Sequence, residues 1–189
     1  MARLLTEVWV VVMRFAYADP PYYLQGKRLY GKHHDDAAIW DTKEAHVDLV
    51  EQLVSEYPDG WALSCNPANL SWLLPLMPND VRVCAWSKSF HQIRPKVNVQ
   101  YSWEPVILSE GRIIRNRRPM VRDHLVCPIA MKKGLPGAKP DKFCDWILDL
   151  LGFLEDEDYV DDLYPGTHGI DAAIKRRIER QLEIPGITA

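Results

Sequence analysis

An uninterrupted apolar run, Val8 to Val12, continues through Phe15 and Tyr17 to Ala18 and is stopped by Asp19-Pro20-Pro21. A stretch without polar alternation must be buried on both faces, which parallel sheets covered by helices provide and half-wet antiparallel sheets do not. Residues Glu7 to Ala18 therefore predict a central strand. From Thr42 the period changes to that of a helix, with Val47, Leu49, Val50, Leu53 and Val54 on one stripe, Thr42 placed to cap it and Pro58-Asp59-Gly60 to end it. Trp61 to Cys65 predicts a second strand, Ala68 to Leu74 a short helix, and Val81 to Trp86 a third strand. Asn98 to Leu108 faces Arg112 to Ile114 across Ser109-Glu110-Gly111, which predicts a β-hairpin at the sheet edge. Phe143, Ile147, Leu148, Leu150 and Leu151 mark a helix over Asp141 to Leu151, closed by Gly152. A strand over Tyr159 to Tyr164 and a basic helix over Ile170 to Leu182 follow. Strands alternating with helices give an α/β fold: a mostly parallel sheet with an antiparallel hairpin, helices on both faces, and one domain over residues 1–189.

Charge limits what such a domain can bind. Lys and Arg total 23 against 26 Asp and Glu, a formal net charge of -3, which is not that of a protein coating nucleic acid along its length. Basic residues concentrate in Arg112, Arg115, Arg117, Arg118 and Arg122, and acidic ones in Glu155 to Asp162, so one basic face is expected. Lys27, Arg28, Lys32, His33 and His34 add to it from a polar segment, Gly26 to Asp36, that reads as a mobile loop. Cys65, Cys84, Cys127 and Cys144 form no CxxC pair and the histidines have no ligand spacing, so no metal and no disulfide framework are expected. Reduced thiols point to a cytoplasmic protein, and the run Val8 to Met13 is too short to span a bilayer.

Two motifs carry chemistry. Asp19-Pro20-Pro21-Tyr22 leaves the end of a buried strand, where open α/β sheets place their ligands. An exocyclic amine is a poor nucleophile because its lone pair is delocalised into the ring. A catalyst must accept hydrogen bonds from the NH2 group and favour its pyramidal form. The carboxylate of Asp19 and the carbonyl of Pro20 supply two acceptors on a backbone stiffened by proline, and Tyr22 offers a face for an extruded base. The second motif, Asp161-Asp162-Leu163-Tyr164-Pro165-Gly166-Thr167-His168-Gly169, again closes a strand and opens a helix.

Together these segments resemble the permuted (beta-type) S-adenosylmethionine-dependent amino-methyltransferases, with the catalytic box first and the cofactor loop last. The resemblance spans about Phe15 to Ala173 and is nearest to small phage- and prophage-encoded DNA adenine methyltransferases. It implies a Rossmann-like methyltransferase fold, with catalysis by Asp19, Pro20, Pro21 and Tyr22; at 189 residues without a sizeable insertion, no separate target-recognition domain is expected. It also implies S-adenosylmethionine held by Asp162, Leu163, Tyr164, Gly166 and Thr167, with Lys139-Pro140 near the cofactor carboxylate. Trp86-Ser87-Lys88 and Trp103-Glu104-Pro105 resemble the family's strand-end segments between the two motifs. The implied reaction is methylation of N(6) of adenine in DNA by base flipping. RNA as the substrate, a non-catalytic nucleic-acid-binding or decoy module, and a homodimer all remain open, with no membrane partner. His168 departs from the pattern, standing where the family has a second glycine.

Overall fold

The structure, a computed structural model, describes residues 11–32, 34–90, 93, 95–109, 111–112, 120–130 and 137–182. Its six strands are β1 (Arg14–Ala18), β2 (Trp61–Ser64), β3 (Arg82–Ser87), β4 (Trp103–Ser109), β5 (His124–Val126) and β6 (Tyr159–Asp162). Its helices are α1 (Gly26–Tyr30), α2 (Lys43–Glu56), α3 (Leu70–Leu73), α4 (Asp141–Leu151) and α5 (Gly169–Leu182). The sheet order is β5-β3-β4-β2-β1-β6. β1 pairs in parallel with β2 and β6, β3 pairs in parallel with β5, and β4 runs antiparallel to both β2 and β3.

Side-chain alternation along β1 divides the core into two layers. Phe15 and Tyr17 point to the face that also holds Ala62, Trp86 and Val106 and is covered by Phe143, Ile147, Leu148 and Leu151 of α4 and Ile170 and Ala173 of α5. Ala16 and Ala18 point to the other, with Trp61, Leu63 and Ile107 under Leu49, Val50 and Leu53 of α2. Helices thus lie on both faces, as the unbroken apolar strands require. Phe143 and Leu151 are fully buried, and each contributes about 1.5–3 kcal/mol by leaving water. Helix α2 begins where Thr42 Oγ1 accepts from Ala45 N at 3.4 Å, and α4 ends at Gly152 in the left-handed conformation (φ 67°).

Four expectations need correction. The first strand begins at Arg14, not Glu7: Val11 and Val12 are exposed, because the neighbouring β6 reaches back only to Tyr159, whose N–H donates to Met13 O at 3.0 Å (residues 7–10 lie outside the described ones). The antiparallel strand is interior, not part of an edge hairpin. β4 pairs with β2 and β3, while the N–H of Arg112 turns away to Leu151 O at 2.9 Å; Ile113 and Ile114 lie outside the described residues. Residues 26–32 and 34–41 hold α1 and a 3-10 helix (Asp35–Asp41), and the Asp41 carboxylate joins the two by accepting from Gly26 N at 2.7 Å and Lys27 N at 3.2 Å. A Cβ on Gly26 would come within 2.1 Å of Ala37 O, so only glycine permits this approach. The strand expected over Tyr159 to Tyr164 ends at Asp162, and β5 had no counterpart in the sequence reading. Among the described residues no helix is long and apolar enough to cross a membrane, and no group of three His, Cys, Asp or Glu could hold a metal.

Candidate active site

Five strands point one way and β4 the other. The carboxyl ends of β1, β2, β3 and β6 therefore share an edge with the amino end of β4, where Trp86 pairs with Glu104 and Ser87 with Trp103. At this edge the chain diverges: after β1 it passes to the face covered by α2, and after β6 to the face covered by α5. The crevice between β1 and β6 is a topological switch point, where open α/β sheets bind ligands.

Asp19, the first residue past β1, lies against Lys139, whose Nζ is 2.9 Å from Asp19 Oδ1 and 3.3 Å from Glu104 Oε2. Tyr22 OH donates to Glu104 Oε2 at 3.0 Å and lies 3.5 Å from Asp19 Oδ1; Lys139 Nζ lies 3.4 Å from the same hydroxyl. Lys88, just past β3, binds the other Glu104 oxygen. The Lys139 ammonium also sits over the rings of Tyr22 (5.8 Å), Trp86 (5.7 Å) and Phe143 (5.6 Å). The network is largely shielded, with side-chain exposures of 10% for Lys139, 18% for Glu104 and 20% for Asp19.

Electrostatics separate the two carboxylates. Burial pushes Asp19 above the ordinary range, with Lys139 pulling it back and Glu104 reinforcing the rise. Burial acts on Glu104 in the same direction, but Lys139 and Lys88 outweigh it and hold Glu104 at about 2. Burial works against the Lys139 ammonium, yet Asp19 and Glu104 together raise its pKa. Burial and the charges of Glu104 and Asp19 keep Tyr22 a neutral phenol.

The loop after β6 lies beside this cluster. Leu163 N donates to Tyr17 O at 3.0 Å, extending the β1–β6 ladder one step past the strand. Asp162 Oδ1 accepts from Tyr164 N at 3.3 Å, and burial lifts its pKa to about 6. Tyr164 packs edge-on against Trp40 at 5.1 Å, and Trp40 meets His46 at 5.4 Å. His46 is buried and its Nε2 lies 3.2 Å from Trp40 O, a satisfied core histidine. Gly166 (φ 42°) and His168 (φ 55°) both adopt the left-handed conformation, and His168 Nδ1 meets Asp171 Oδ2 at 3.0 Å. Thr167 is half-buried in the turn before α5, and Pro140 caps α4 by accepting from Phe143 N at 2.9 Å.

The fold thus brings Asp19, Tyr22 and Lys139 into direct contact, with Pro20 buried behind them and Pro21 half-buried. Asp162, Leu163, Tyr164, Gly166 and Thr167 sit across the crevice. Glu104 and Lys88 complete the cluster, although the sequence suggested them only as parts of strand-end segments. Their available signal was a charged residue at the end of a buried run, Trp86-Ser87-Lys88 and Trp103-Glu104. Arg112 leaves the expected basic face: it is paired with Asp158, whose side chain is fully buried. Arg115, Arg117, Arg118 and His33 lie outside the described residues.

No protein-family model matches this sequence, and no curated protein is similar enough to count as a relative. Solved structures do match. M1.HpyAVI in complex with SAM superposes with a TM-score of 0.55 at 14% identity, over 88% of this chain and 79% of that one. TTHA0409 of Thermus thermophilus, which carries the provisional name DNA modification methylase, aligns at a TM-score of 0.45 and 13% identity over 93% of this chain and 89% of that one. The first likeness shows the fold, which is the Rossmann-like α/β fold of S-adenosylmethionine-dependent methyltransferases.

Proposed function

We propose that the protein is an S-adenosylmethionine-dependent methyltransferase of DNA that acts on N(6) of adenine. The observation that carries this reading is the placement of Asp19, Pro20 and Tyr22 at the switch point of the sheet, one strand from the Asp162 loop. The amine-accepting box and the cofactor loop then face the same crevice. The structural likeness to M1.HpyAVI, seen with SAM, supports the cofactor class.

Residues of the Asp162 loop fit such a cofactor. Asp162 is a partly buried carboxylate with one backbone donor; burial lifts its pKa to about 6, offset only in part by that donor and by the charge of His168, so a closer cation is favoured there. An amino group supplies that cation. A Cβ on Gly166 would meet Tyr164 O at an ordinary contact distance of 3.7 Å, so what the glycine supplies there is the left-handed backbone (φ 42°) rather than space. Tyr164 and Trp40 present an aromatic pair beside it. When bound, S-adenosylmethionine supplies an electrophilic methyl group.

The residues of the chain do the rest. Asp19 and the Pro20 carbonyl accept the two N–H bonds of an exocyclic amine and favour its pyramidal, more basic form. Pro20 and Pro21 hold those acceptors in place before the base arrives. Tyr22, kept as a neutral phenol and anchored through its hydroxyl to Glu104, presents its ring to a base extruded from the duplex. Once the nitrogen is methylated it carries an extra proton, which passes to Asp19 or to water.

Transfer of label from methyl-labelled S-adenosylmethionine to unmethylated DNA and RNA, for wild type beside Asp19→Ala, tests this reading. Labelled N(6)-methyladenine from DNA, absent with Asp19→Ala, is the expected product. Label in RNA alone would reassign the substrate. Absence of transfer together with absence of cofactor binding by calorimetry would leave a nucleic-acid-binding module, a reading that the left-handed His168 in the cofactor loop favours.

A further inference from the structure

We propose that Glu104 is a positioning residue for methyl transfer: it anchors the Tyr22 hydroxyl and provides the alternative site to which Lys139 moves when a substrate amine takes its place on Asp19. This rests on the reading of Asp19 as the amine acceptor.

The geometry demands such a device. In the free protein the Asp19 oxygen nearest the cluster is engaged by an ammonium at 2.9 Å, so a substrate N–H bond competes with a full cation for that carboxylate. A buried ammonium cannot leave one carboxylate for an apolar wall without a large desolvation cost. Glu104 Oε2 lies 3.3 Å from the same Nζ, and a shift of a fraction of an ångström exchanges one ion pair for the other inside the protein. Lys88 holds the second Glu104 oxygen in place, and the phenol of Tyr22 donates to the first. Lys139 and Lys88 thereby outweigh burial and hold the Glu104 carboxyl well below the ordinary range, at about 2.

The groups that face Asp19 come from every neighbouring element: Lys139 before α4, Glu104 of β4, Tyr22 beyond β1, Tyr17 of β1, Tyr30 of α1, Cys65 beyond β2 and Asp162 of β6. Of these, Lys139 and Tyr22 lower the Asp19 pKa and Glu104 raises it, so loss of the Glu104 charge leaves Lys139 pinned on Asp19 and moves Asp19 titration to lower pH.

Two measurements on Glu104→Gln test the assignment, with folding checked by thermal melting. Carbon-13 NMR of carboxyl-labelled aspartate, assigned with Asp19→Asn, reads the Asp19 midpoint without any need for activity; it should fall in Glu104→Gln. Kinetics should show kcat reduced by about tenfold or more with the Kd for S-adenosylmethionine unchanged, and partial recovery in Glu104→Asp. An Asp19 midpoint that does not move in folded Glu104→Gln overturns the inference whatever the rate does, as does a kcat equal to that of wild type. If wild type transfers no methyl group while the midpoint still shifts, the enzymatic reading fails and the electrostatic role of Glu104 stands.

Discussion

The N–H of Leu163 donates to the carbonyl of Tyr17 at 3.0 Å, one step beyond the paired residues Tyr17 and Asp162. This bond ties the segment leaving β6 to the strand that ends one residue before Asp19. The Asp162 loop, proposed to hold the cofactor, and the Asp19-Pro20-Pro21-Tyr22 box, proposed to accept the amine, are therefore fixed to each other through a short piece of parallel ladder.

Asp162 should couple cofactor binding to pH. Its folded pKa of about 6 lies above the ordinary carboxylate value of 3.8, because burial penalises the charge. The free protein binds more protons at this site than the unfolded chain between those values, so its stability falls as pH rises from about 4 through 6. Asp162→Asn should flatten that fall and raise the Tm of the free protein at pH 7. Cofactor affinity should run the other way, weakening in wild type as pH drops through 6 and losing that dependence in Asp162→Asn. Calorimetric titrations at pH 5 and pH 7.5 check it, and equal affinities at the two values for wild type would refute it.

Asp158 should matter for stability. Its buried carboxylate accepts from Met13 N at 3.0 Å and Leu154 N at 2.8 Å and pairs with Arg112, joining the start of β1, the turn before β6 and the segment after β4. Asp158→Ala leaves two backbone donors and a guanidinium without their partner, and should cost about 3–5 kcal/mol in urea unfolding. A loss under about 1 kcal/mol would show that water replaces the carboxylate.

His168 occupies a left-handed position at φ 55°, which costs an L residue about 1–2 kcal/mol relative to glycine. His168→Gly relieves that strain but frees the unfolded chain and removes the contact with Asp171. The net expectation is a gain of about 0.5 kcal/mol, with cofactor affinity equal or improved. Denaturant midpoints and calorimetry measure both; a clear loss of cofactor affinity would instead make the imidazole a ligand group.

Trp40 and Tyr164, ring centroids 5.1 Å apart and nearly perpendicular, join the 3-10 helix ahead of α2 to the loop after β6. A double-mutant cycle with Trp40→Leu and Tyr164→Leu should give a coupling of about 0.5–1.5 kcal/mol in stability. Additive single effects would mean that the rings are merely neighbours.

Much of the fold was legible because it rests on local signals. Thr42 and Gly152 bound their helices as expected, and the apolar stripe of Leu49, Val50 and Leu53 became the buried face of α2. Strand partners were not legible. Val106 and Ile107 in β4 are buried on opposite faces, and nothing local distinguishes an interior antiparallel strand from one arm of a hairpin. The role of Glu104 depends on the same pairing, because only the reversal of β4 brings its first residues to the edge where β1 and β6 end. The box at Asp19 and the loop at Asp162 were visible as sequence because each follows its strand directly. The contact between Lys139 and Asp19 spans 120 positions and depends on the packing of α4. Arg112 likewise resembled part of a basic face until its partner, Asp158, was placed beside it.

Two ammonium groups, Lys88 and Lys139, face two carboxylates, Asp19 and Glu104, so the cluster is formally neutral. A neutral base entering it changes no charge, and ions in bulk solvent have little hold on that step. Any dependence of nucleic-acid affinity on ionic strength must then arise outside the crevice, from lysines and arginines that meet the phosphate backbone and release its counterions. On the proposed function, the strength of attachment to a strand and the recognition of the base fall to separate parts of the protein, and salt should act on the first while leaving the second nearly untouched.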